Sequence, residues 1–112
     1  MTTKPKYIEQ IENNGEILSL IDIGFKGKDI ESFLDEKSFV VVWSKGFSTI
    51  NEPKISLTEK IYKTKQGFFL YLILDGEIST LTIYYRQEQI NELTIFVGQL
   101  LKQFKNGTTI NK

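Results

Sequence analysis

The sequence predicts an α+β fold. It comprises an antiparallel β-sheet of about five strands, the last three forming a C-terminal meander. An amphipathic C-terminal helix packs on one face, and one or two short helices precede the sheet. Three observations predict this. Residues 87–105, QEQINELTIFVGQLLKQFK, repeat apolar side chains at helical spacing. Within 68–85 two apolar runs flank Asp75-Gly76, the strongest short-range hairpin signal. β-Branched and aromatic runs separated by Gly, Asn and Pro fill the middle of the chain. At 112 residues the chain has the length of a single domain spanning 1–112, with 1–4 and 107–112 read as frayed tails.

The elements follow in order. PKYIEQIEN (5–13) reads as a short helix: Pro5 suits a first turn, Tyr7 and Ile11 share a face, and Asn14-Gly15 is a stop. ILSLIDIGF (17–25) is a strand, and Asp29 is a cap for a short helix through IESFLDE. SFVVVWS (38–44) is a strand whose unbroken apolar run predicts a central place in the sheet, with Trp43 in the core. KISLTEKIYK (54–63) alternates, and TKQG (64–67) turns the chain into the hairpin. In the final helix Ile90, Leu93, Val97, Leu100, Leu101 and Phe104 form one stripe. Glu88 and Glu92 near its start and Lys102 and Lys105 near its end agree with the helix dipole. Gly98 in its interior predicts close approach to the sheet.

A two-residue turn at Asp75-Gly76 sets Leu74 opposite Glu77, Leu72 opposite Ser79, Leu70 opposite Leu81 and Phe68 opposite Ile83. Side chains alternate between faces, so this aliphatic set is separated from Phe69, Tyr71, Ile73, Ile78 and Tyr84. Adding 54–63 through an even-length turn puts Leu57 and Ile61 on the aliphatic face, the seat of the helix. Lys60 and Tyr62 then join the aromatic face. Three readings compete for that second face. The N-terminal half folds over it; or it binds another protein; or it stacks the bases of single-stranded nucleic acid, with lysines neutralising phosphate.

Composition narrows the chemistry. The chain has no cysteine and no histidine, which excludes disulfides, thiolate metal sites, a cysteine nucleophile and the usual acid–base residue. Net charge is zero but unevenly spread. Residues 1–36 hold eight acids against four lysines, and residues 37–65 hold six lysines against two acids. That asymmetry is compatible with a dipolar surface and a basic patch from the middle of the chain, and equally with an ordinarily solvated charged surface, which is the preferred reading. No apolar stretch of signal-peptide length follows Met1 and no run approaches a membrane span, so the expected location is cytoplasmic, without membrane contact.

Motifs with chemical content fail on spacing. GFKGKD (24–29) has two residues between its glycines, where a phosphate loop needs four, and Asp29 follows its lysine. DIGFKGKDIESF (22–33) lacks acidic ligands at the third, fifth and twelfth positions of a calcium loop. Asp35-Glu36 and Glu88/Glu92 do not have the spacing of paired catalytic carboxylates. The expectation is therefore a small non-enzymatic interaction module without metal or cofactor, a regulator or inhibitor that binds another protein. It would do so through the aromatic and lysine-bearing face or a sheet edge. The candidate binding residues are Phe69, Tyr71, Tyr84, Tyr62, Lys60, Lys54 and Arg86. A homodimer through that face or the Val97–Phe104 stripe is a further expectation. Single-stranded nucleic acid on the same face is the alternative partner.

Overall fold

The computed structural model describes residues 4–27, 29–48, 56–75, 78–104 and 108–109. The fold is α+β. Helix α1 (Lys6–Asn13) leads into strand β1 (Ser19–Lys26), helix α2 (Asp29–Glu36) and a four-strand meander. The meander comprises β2 (Val40–Ser48), β3 (Ser56–Lys63), β4 (Phe69–Asp75) and β5 (Ile78–Tyr85). A single 3₁₀ turn (Gln87–Gln89) opens helix α3 (Ile90–Gln103), and a two-residue strand β6 (Thr108–Thr109) ends the described chain. All pairings are antiparallel, and the strand order is β2-β3-β4-β5-β1-β6. Thr108 and Thr109, expected in a frayed tail, instead pair with Gly24 and Ile23.

The sheet carries helices on both faces. On one face α2 and α3 cover Ile23, Phe25, Leu70, Leu72, Leu74, Leu81 and Ile83. Leu93, Val97, Leu100, Leu101 and Phe104 point into this core, so the helical stripe seats on the sheet. On the other face α1 lies over Phe69, Tyr71, Tyr84 and Ile61, with Ile8 fully buried among them. The N-terminal part of the chain thus folds over the second face of the hairpin.

Three expectations about the sheet need correction. The β4–β5 ladder closes with Asp75 opposite Ile78 and Leu74 opposite Ser79. That is two residues out of the expected register, and an even slip leaves every side chain on its expected face. The β3–β4 connection, in contrast, slips by one. Thr64 carbonyl accepts from Gly67 N–H, Gly67 adopts φ +97°, and Thr64 N–H donates to Phe68 carbonyl. This is a three-residue loop with a left-handed glycine at its end, and it makes the connection odd. Lys63 therefore faces Phe69 and Tyr62 faces Leu70. Ile61 joins the aromatic face, while Lys60 and Tyr62 move to the aliphatic one.

The third correction concerns β2, which is an edge strand rather than a central one. Its unbroken apolar run reflects a β-bulge between Val41 and Trp43. Val42 and Trp43 both pack against the α1-covered core, while Val40 and Val41 stay exposed. Gly98 also departs from expectation: it is exposed, and apart from its own helix backbone and chain neighbours no heavy atom lies within 4 Å of the place a Cβ would take.

Candidate interaction surface

The candidate residues do not form one surface. Phe69, Tyr71 and Tyr84 are neighbours on β4 and β5, as their alternation requires, but they are 5%, 4% and 2% exposed. Tyr7 packs edge-to-face on Phe69 with ring centroids 5.9 Å apart. The Tyr71 hydroxyl donates to Glu59. Burial, then this carboxylate, raises the Tyr71 phenol well above the ordinary tyrosine range. Burial, then Asp22 and Glu12, pushes Tyr84 up to about 12. Neither ring offers a free face to a nucleobase while α1 is in place.

Tyr62 and Lys60 hold α2 against the opposite face. The Tyr62 hydroxyl donates to Asp35 Oδ1 at 2.7 Å, and Lys60 Nζ lies 2.7 Å from Glu31 Oε2 and 3.8 Å from Asp35. Burial, then the Asp35 hydrogen bond, raises the Tyr62 phenol far above its ordinary value. Glu31 and Asp35 lie one helical turn apart, so both reach the same strand position. This contact also annuls part of the expected dipole, because acids of the first charge block meet a lysine of the second.

Arg86 stands at the entry to the 3₁₀ turn, 3.5 Å from Glu16 and 3.3 Å from Glu88. Beside it Gln89, which the sequence did not single out, is buried and makes two hydrogen bonds, one a local cap of the turn and one tertiary. Its Oε1 accepts from Arg86 N–H at 2.8 Å, and its Nε2 donates to Gln66 carbonyl at 2.6 Å. Gly67 is required there: a Cβ would lie 3.0 Å from Gln89 Nε2, and the backbone is left-handed. Lys54 lies outside the described residues.

What remains open is the rim of the sheet. Val40 is 64% and Val41 46% exposed at the start of β2, on opposite faces of the strand. Among the described residues, no strand pairs with the outer side of β2. Val40–Ser44 carries no charge, and Lys45 is the one charged residue of the strand. Nearby, Phe39, Phe96 and Ile95 with Lys37, Gln66, Glu92 and Gln99 line an open groove of about 250 Å³, below the size of ordinary small-molecule pockets. Among the described residues no three of His, Cys, Asp and Glu converge as metal ligands, and no helix is long and apolar enough to cross a membrane. The run VVVW marked a strand, but its place at the edge was not legible, because an unbroken apolar run reads as a strand buried on both faces until the bulge is seen.

No family model, no curated protein and no solved structure matches the chain.

Proposed function

We propose that the protein is a small non-enzymatic interaction module, a regulator or inhibitor, that takes up a strand of another protein along the edge of β2. The observation that carries this reading is the pair of exposed valines on an edge with no described neighbour. An open edge presents a row of backbone donors and acceptors that an extended segment completes. Proteins often blunt such edges with charge or proline; Val40–Ser44 has neither, and the bulge at Val42 is its one such device. The aromatic face, under α1, serves as core in this reading.

The test compares the full chain with a variant carrying Val40→Asp and Val41→Asp, both exposed positions. Proteins captured from cell extract by the wild type are purified and retested for direct binding to each form. The reading expects at least roughly tenfold weaker binding by the variant. Unchanged affinity, with the sheet intact by circular dichroism, overturns it. A cytoplasmic location belongs to the same reading and is checked by fractionating cells that express the tagged chain.

A further inference from the structure

We infer that the segment received by the β2 edge is acidic: a short apolar strand flanked by Asp or Glu. This rests on the edge reading above and adds the chemistry of the partner. Three lysines surround the Val40 end of β2. Lys63 is directly opposite Val40 in the ladder, Lys65 stands two residues further on, and Lys37 precedes Val40 by three residues. All three are exposed, and none enters an ion pair among the described residues. Lys45, further along, faces Glu59, whose carboxylate already takes the Tyr71 hydroxyl. Lys60, which does have acidic partners, is turned toward α2. Lys37, Lys63 and Lys65 thus leave positive charge without an acidic partner, among the described residues, around the Val40 end of β2, with Lys37 Nζ over the Phe33 ring of α2 and Lys63 Nζ over the Phe69 ring of β4.

A second copy of this chain is the poorer occupant. Antiparallel pairing of two β2 strands sets the Val40 end of each copy, with its lysines, against the Lys45 end of the other. Like charges across a seam oppose association. The bulge at Val42 also bends the edge out of the flat line that long homotypic pairing needs. An acidic strand meets no such repulsion. The β2 backbone supplies the ladder, Val40 and Val41 supply apolar contact on either face, and the lysines supply attraction at longer range.

The experiment uses the isotope-labelled full chain and two synthetic peptides of about nine residues. They share a Val/Thr core and differ in flanks of Glu or of Lys. The Glu-flanked peptide is expected to shift the amide resonances of β2 and to bind roughly tenfold tighter at ~50 mM salt, a margin that collapses at ~500 mM. The triple variant Lys37→Glu, Lys63→Glu, Lys65→Glu is expected to reverse the preference. Equal binding of both peptides overturns the acidic partner while leaving the edge reading in place. No β2 shift with either peptide overturns the edge reading itself. Concentration-dependent broadening of β2 resonances without peptide assigns the edge to a second copy and overturns the inference.

Discussion

Gly98 and Ser38 are each the other's remedy. Gly98 lies in the exposed interior of α3 with open space where a Cβ would sit. It bears the helical cost of glycine without the close approach that would justify it. Ser38, just past α2, holds φ +59°, a left-handed conformation in which a side chain is strained and glycine is not. Gly98→Ala and Ser38→Gly are each expected to stabilise the fold by about 1 kcal/mol, read from the urea midpoint at unchanged slope. A loss of stability in either case would mean that the site has a neighbour or a conformation other than the one described. The buried tyrosines set a limit at high pH. Burial, then carboxylate neighbours, raises Tyr62, Tyr71 and Tyr84, the last to about 12. The folded state keeps these protons where the unfolded chain releases them. Their contribution is therefore complete below about pH 10, the ordinary tyrosine pKa, and is lost as the pH rises beyond it. Phenolate absorbance from these three is expected to appear above about pH 11, together with loss of the sheet. Their ionisation at ordinary pH in a folded chain would contradict the packing.

Among the elements, α1 is anchored above all by one side chain, with Tyr7 and Ile11 packed beside it. Ile8 is its fully buried residue, set among Phe69, Tyr71, Tyr84 and Ile61. The helix's own ion pair, Lys4 to Glu12, stays within the N-terminal segment and does not reach the sheet. Ile8→Ala is expected to cost about 3 kcal/mol, the usual range for a truncated core isoleucine. A cost below about 1 kcal/mol in urea unfolding would show that α1 does not close this core. Helix α3 and the two faces of the hairpin were legible because both rest on a period: 3.6 residues for the Leu93–Phe104 stripe, two for the alternation of β4 and β5. A two-residue error in the turn left the faces intact for the same reason. Strand β3 was misplaced because its faces depend on the parity of one turn. Thr64–Phe68 closes with a left-handed Gly67 that composition alone does not distinguish from a four-residue turn. The candidate site was least legible, since Phe69, Tyr71 and Tyr84 declare their face and not what lies on top of it.

At the scale of the whole molecule, the acidic and basic thirds of the sequence are folded against each other through Lys60, Glu31 and Asp35. The exposed lysines of the β2–β3 edge are what that pairing leaves over. The same edge is guarded by its bulge. Deleting Val42 restores unbroken pairing of Val41 with Tyr62 and of Trp43 with Ile61. The straightened strand is expected to associate with other copies, visible as earlier elution in size-exclusion chromatography at raised salt, where lysine repulsion is screened. A deletion variant that stays monomeric there would remove the bulge from the account of how this edge is kept open.

The pairing of β1 with β5 has a consequence for how the chain is made. Lys26 pairs with Ile78, 52 residues further along, whereas β2 to β5 form an unbroken series of neighbours. Local pairings form before distant ones because shorter loops close at lower entropic cost. On the ribosome, Ile21, Ile23 and Phe25 therefore wait without a partner until β5 has left the exit tunnel. Nascent chains stalled before residue 78 is extruded are expected to remain sensitive to protease over their first third, and those extending past residue 85 to become resistant. Early resistance would mean that the N-terminal segment finds a temporary partner first.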